Sequence, residues 1–180
     1  MQLLLCLLPV CLSADPPAGD ALPVAGTRKV IATMVRAAEE NGARGKGSLS
    51  GDALTDHYVR RAASTAAAEK VPARAFLLAL GVVFDDTGLL RHNLILGRVL
   101  AQLETADERK QRLRVLGTPT LRRRHDWIMH FSIAAALTAQ LGPESAEQLS
   151  IAKELLDSNG GSGFSFGDLA ADYAGIAFAR

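Results

Sequence analysis

Asp126 and His130 stand four residues apart, Glu154 and Asp157 three apart, and Asp168 and Asp172 four apart. On a helix each of these spacings puts both side chains on one face. Lys153 precedes Glu154, and Gly175 follows Asp172 by about one turn. If the three pairs converge, one imidazole and five carboxylates share a small volume. Acids that close repel one another unless they are protonated, paired with a base or bridged by a cation. Two kinds of chemistry fit. In one, a divalent cation is held by oxygens of Asp126, Glu154, Asp168 and Asp172, with His130 as a further ligand or as the general base that activates a water. In the other, Lys153, Glu154, Asp157 and Ser165 bind a cationic or polyhydroxylated ligand without reaction. A purely structural reading stands beside both, in which Asp168 belongs to a helix cap, Asp157 faces solvent and His130 is hydrogen-bonded in the core.

The elements that must position these residues are helical throughout. Apolar residues recur at helical spacing over Thr27–Glu40, with Asn41-Gly42 as a stop, and Leu54, His57, Tyr58, Arg61 and Thr65 recur at the same spacing over Asp52–Glu69. Pro72 starts a further helix, Ala73–Phe84, which is apolar almost all round and therefore buried, though too short to span a bilayer. Helix resumes over Asn93–Leu103. Thr105 with Glu108 forms a capping box for a helix that ends at Gly117. Thr118-Pro119 starts the next, running to Leu141; Gly142-Pro143 punctuates, and Glu144–Ser158 follows. After the loop Asn159–Gly163, Ser165 caps a final helix to Ala179. No segment alternates with period two, so the fold class is all-α, a compact bundle of about six to seven helices. The short connections favour antiparallel packing of the last three. Ala134–Ala136, Ala152, Ala170, Ala171, Ala174 and Ala177 let their backbones approach closely.

Other motifs fail on spacing. Gly42–Ser48 is glycine-rich, but Glu40 occupies the position of the first glycine of a phosphate-binding loop, and Gly47 that of its Ser or Thr. No serine sits in a Gly-x-Ser-x-Gly elbow, and no His-Glu-x-x-His occurs. His57 has Asp56 beside it, but neighbours one apart do not share a helical face; His57 and His92 read as structural or surface residues.

His130-Phe131, Ala152-Lys153-Glu154-x-x-Asp157, Gly161-Ser162-Gly163-Phe164-Ser165 and Asp168-Leu169-Ala170-Ala171-Asp172-x-x-Gly175 together resemble the YfiM-like family of small bacterial predicted lipoproteins. The same order of His, acid and Asp near helix ends is more distantly similar to VanZ-like membrane proteins. The resemblance covers roughly residues 124–179 and implies a helical fold and an envelope location, without an activity. The chain departs from a lipoprotein in its cysteines: Cys6 follows Leu5 and Cys11 follows Val10, where a lipidation signal places a small residue.

The bulk of the sequence agrees. At 180 residues it suits one domain, 27–180, and 48% hydrophobic residues with only 5% aromatic describe a core of Ala, Leu, Val and Ile, as closely packed helices require. A formal charge of +1 gives no reason to expect nucleic acid. Charge is nevertheless uneven. Arg109, Lys110, Arg112, Arg114, Arg122, Arg123 and Arg124 crowd one acid-free stretch, read as a solvated helix face or, through Arg122, Arg123 and Arg124, as a peripheral contact with anionic membrane. The uncharged Met1–Ala14, with its apolar Leu3–Leu12, reads as a cleavable signal peptide, and 15–26 as a flexible lead-in. Removing 1–14 leaves no cysteine. The expectation is an exported protein of the periplasm or cell envelope whose polar cluster is structural or ligand-binding. The alternative is a metal-assisted hydrolase acting on an envelope lipid or glycan phosphate.

Overall fold

The computed structural model describes residues 24–92, 97–159 and 163–180, and among these there are nine α-helices and no strand. The signal-peptide reading of 1–14, with Cys6 and Cys11, lies outside the described residues. The lead-in is shorter than 15–26, because the first helix α1 already begins at Val24 (Val24–Gly42). Its buried stripe is Val30, Ile31, Met34, Ala37 and Ala38. The Asn41 side chain ends it by mimicking a backbone pair, donating to the Leu49 carbonyl (3.1 Å) and accepting from the Leu49 N–H (2.8 Å). This folds the glycine-rich loop onto α1. α2 (Gly51–Ala68) buries Leu54, Tyr58 and Ala62. The Tyr58 hydroxyl donates to the Leu116 carbonyl at 2.9 Å, and burial pushes its pKa up to about 12.

α3 (Ala73–Phe84) is buried on nearly every side, as its composition requires. Asp85 then caps the short α4 (Leu89–His92), its carboxylate accepting from the N–H groups of Gly88, Leu89 and Leu90 at 2.7, 3.0 and 2.9 Å. α5 (Gly97–Leu103) matches the end of the expected Asn93–Leu103 helix, whose first four residues lie outside the described ones. The capping box of Thr105 and Glu108 starts α6 (Ala106–Val115) as expected.

Two readings of the sequence need correction. Arg112, counted with a solvated basic face, is only 1% exposed. It makes a two-pronged ion pair with buried Glu104 (2.6 and 3.0 Å) and donates to the Val83 carbonyl (2.8 Å), while Arg91 binds the same carboxylate at 2.7 Å. Second, Thr118-Pro119 does not start a helix. Residues 118–124 form an irregular connection, tied to α2 by the Gly51 N–H donating to the Thr118 carbonyl (3.1 Å). It closes in a two-residue turn in which Leu121 and Arg124 exchange backbone hydrogen bonds at 2.9 and 3.0 Å. Arg122 and Arg123 hold the turn with φ of 51° and 66°, a left-handed pair that side chains disfavour. Asp52 stabilises it by accepting from the Arg123 N–H (3.0 Å) and the Thr120 hydroxyl.

Only then does α7 begin (His125–Leu141), followed by α8 (Pro143–Ser158) and α9 (Phe166–Ala179). α7 is central. Gly81 of α3 meets it on one side, where an added Cβ would lie 3.1 Å from the Ser132 carbonyl oxygen; Gly175 of α9 meets it on the other, where a Cβ would collide with the Phe131 carbonyl. Contacts along α7 and α9 advance together, Trp127 with Gly167, His130 with Asp172 and Phe131 with Phe178. The two helices are therefore parallel, and α8 runs back between their ends. The N-termini of α7 and α9 and the C-terminus of α8 share one end of the bundle. No described helix is long and apolar enough to cross a membrane.

Candidate functional site

The polar cluster forms at that shared end. His130 on α7 directs Nδ1 at Asp172 Oδ1 of α9 (3.1 Å), and Asp172 also bonds to the Ser150 side chain of α8. A carboxylate there selects the Nδ1–H tautomer and leaves the Nε2 lone pair for another partner. Two groups face Nε2: the Lys153 ammonium at 3.1 Å and Asp168 Oδ2 at 3.6 Å. Lys153 also donates to Glu154 Oε1 (2.8 Å) and lies 3.0 Å from Asp157 Oδ2. Each of its three N–H bonds thus has an acceptor.

Glu154 is fully buried, at 0% exposure, and its second oxygen accepts from the Ser165 N–H at 2.9 Å. With the Gly163 N–H on the Asp157 carbonyl (3.1 Å), this bond ties residues 163–165 to the last turns of α8. Ser165 is the N-cap of α9, its hydroxyl accepting from the Asp168 N–H at 3.2 Å. The sequence reading of Ser165 as cap therefore holds, and its backbone adds a contact to the cluster. Asp168 is buried, yet its Oδ1 has no hydrogen-bond partner. The nearest cation, the Arg124 guanidinium, stands 3.9 Å away and is held by Asp126.

His130, Glu154 and Asp168 each offer one ligand atom, and these atoms lie within 4.8 Å of one another. The other candidates fall outside this group: Asp126 is committed to Arg124, and Asp172 supports the opposite face of the imidazole. Asp157 is half-buried beside Lys153 rather than turned to open solvent.

Burial pulls the His130 pKa down, but the hydrogen bond and charge of Asp172, with help from Asp168, outweigh burial and Lys153, leaving it above the ordinary histidine value. Burial raises Asp172. The pair thus holds its shared proton firmly. For Lys153 too, desolvation works against the charge, and Glu154 and Asp157 more than restore it. Nε2 of His130 is accordingly contested ground. It accepts from Lys153 when neutral; a proton there requires Lys153 to retreat and Asp168 to close in.

One residue of the same region escaped notice in the sequence. His125 opens α7 with Nδ1 on the Pro119 carbonyl (2.8 Å) and Nε2 on Asp86 Oδ2 (2.9 Å). Its position beside Asp126 was the only local sign. Its partner Asp86 sits in a distant turn. The Glu104–Arg112 pair gave no sign at all, since Glu104 lies in the connection between α5 and α6 and shares no helical face with Arg112 of α6.

Protein-family models, curated proteins and solved structures were all compared with the chain, and none matches it.

Proposed function

We propose that the last three helices form a divalent-cation site, with His130 Nε2, Glu154 and Asp168 as ligands, in an exported protein of the cell envelope. The observation that carries the reading is the orphaned Asp168 Oδ1 within a buried set of one nitrogen and two carboxylates whose ligand atoms lie within 4.8 Å. Glu154, Asp157, Asp168 and Asp172 set four carboxylates against the one ammonium of Lys153 and one imidazole. Buried charge of one sign in excess is costly, and a cation relieves it. One neutral imidazole with two carboxylates suits Zn²⁺ or Mn²⁺ better than Ca²⁺ or Mg²⁺, which prefer all-oxygen shells. Asp172 supplies the carboxylate that orients a ligating histidine. Three protein ligands leave a position for water, the arrangement that metal-assisted hydrolysis of a phosphate ester uses. Lys153 acts as an internal stand-in that leaves when the ion enters; its side chain is 30% exposed, so it has a path to solvent.

A second reading rests on the three acceptors of Lys153: an ion network complete in itself that only holds α7, α8 and α9 together. Calorimetry with Zn²⁺ and Mn²⁺ separates the two. The cation site predicts saturable binding, lost in Asp168→Asn and tightened by about tenfold or more in Lys153→Met, which removes the competing charge. Asp168→Asn also raises the melting temperature of the ion-free protein by a few degrees, because it removes a buried carboxylate whose Oδ1 lacks a hydrogen bond, a deficit of roughly 1–3 kcal/mol. No binding in either the parent protein or Lys153→Met, with Lys153→Met strongly destabilised, establishes the network instead.

A further inference from the structure

The end of the bundle that carries the cluster also exposes several large apolar side chains. Phe166 is 81% exposed and Phe164 40%, and the two rings meet edge to face with centroids 5.0 Å apart. Leu155 and Leu156 on the last turns of α8 are more than half exposed, at 53% and 54%. Because Ser165 and Gly163 are tied to Glu154 and Asp157, Phe164 is held against that same end of α8. Trp127 continues the surface. Its ring lies against Gly167, where an added Cβ would sit 3.0 Å from Cζ2, and the Arg124 guanidinium stands 5.3 Å over its other part. Next along the chain come Arg123 and Arg122, both exposed on the tip of the left-handed turn.

Aromatic and leucine side chains beside a pair of exposed guanidinium groups describe a particular kind of surface. Water gives large rings no reason to stay at the surface, and a fully apolar partner gives arginine none. The headgroup layer of an anionic bilayer suits both: rings enter the acyl boundary while guanidinium groups meet lipid phosphates. Arg124 is neutralised by Asp126 and the buried acids are turned inward; Arg122 and Arg123 outnumber the one exposed carboxylate on their turn, Asp52, so the rim stays net positive. We infer that this end of the bundle, with Phe164 and Phe166 inserted, the half-buried Trp127 against Gly167 just behind them, and Arg122 and Arg123 on phosphate, docks on an anionic phospholipid surface. The inference is independent of the cation site, since every group it uses lies outside the ligand set.

Trp127 is the only tryptophan of the chain, so it reports on this face alone. That matters because the apolar Leu3–Leu12 segment is capable of binding bilayers by itself. The experiment mixes the full chain, in EDTA, with phosphatidylcholine vesicles that contain or lack phosphatidylglycerol and carry brominated acyl chains. Trp127 emission is expected to be quenched on the anionic vesicles and not on the neutral ones. Double substitution Phe164→Ser/Phe166→Ser is expected to abolish the quenching. Arg122→Glu/Arg123→Glu should weaken the apparent partitioning more than about tenfold and remove most of its salt dependence. Both pairs are exposed, and circular-dichroism melts check that the fold persists. Absent quenching, equal quenching on neutral vesicles, or quenching indifferent to the phenylalanines would overturn the inference. So would concentration-dependent dimerisation lost in Phe166→Ser, which would assign the face to a second copy.

Discussion

His125 is the clearest case of a single residue whose charge is dictated by its partners. A carbonyl oxygen faces Nδ1 and a carboxylate oxygen faces Nε2, and only the imidazolium form can donate to both, so the geometry favours the charged ring. Burial opposes that charge, but the bonds to Asp86 and Pro119 prevail and the pKa lies above the usual histidine value. A base whose folded pKa exceeds its unfolded one adds stability that is whole below the unfolded value, near 6.5, and disappears as pH rises through the folded value. Melting temperature should therefore fall as pH rises above about 6.5, and His125→Gln should flatten much of that slope; the remainder belongs to His130, shifted in the same direction. An unchanged slope in His125→Gln would show that the ring is neutral. Glu104 offers a second test at this scale. It is the one carboxylate between Arg112 and Arg91, and Glu104→Ala strands a guanidinium that is 1% exposed. A loss of about 3–5 kcal/mol in urea unfolding is expected, far beyond a surface ion pair.

At the scale of elements, the sequence was most legible where one helix is self-sufficient. The apolar Ala73–Phe84, the Thr105–Glu108 box and the Ser165–Asp168 cap each declare themselves within a few residues, and each stands where expected. The spacing of the three polar pairs likewise placed His130, Glu154, Asp168 and Asp172 together. What the spacing did not carry was partnership. Asp126 shares a helical face with His130 but is taken by Arg124, a choice made by side-chain reach across a turn. The 118–124 connection defied its helix-like start because its backbone bonds go to α2 and to its own turn, and no local propensity records a partner 68 residues away. Close approach of α7 and α9 depends on one residue, Gly175, whose missing side chain admits the Phe131 carbonyl. The obstacle to a Cβ is backbone, which cannot rotate aside. Gly175→Ala should cost about 3 kcal/mol or prevent folding, measured by chemical denaturation. Tolerance of alanine would mean that the helices are farther apart.

Across the whole molecule, α7 joins two bodies of structure, the α1–α6 core on its α3 side and the polar end on its α9 side. The hydrophobic core runs without a break from Val30 and Met34 through Leu78 and Val83 to Ile133, Ala136 and Ile176. Residues 124–180 thus make the site but not a domain, since α7 cut from α3 would expose Ile133, Ala136 and Leu137. Anchoring is unequal within that segment. Nine residues of α7 are buried but only three of α8, namely Ala146, Ser150 and Glu154. The helix that brings Glu154 and Lys153 is consequently the one with least holding it, whereas His130 and Asp172 sit on the tightly locked pair.

That inequality has a consequence in time. Amide hydrogen exchange reports how often each helix opens, and α8 should exchange much faster than α7, through a local opening that leaves the imidazole and its orienting carboxylate in place. Zn²⁺ or Mn²⁺ bound by Glu154 stitches α8 to its neighbours, so the ion should slow exchange selectively in α8. A uniform slowing over all helices, or none, would place the ion elsewhere. The half of the site that waits would then be rigid, and the half that arrives would decide how fast it is filled.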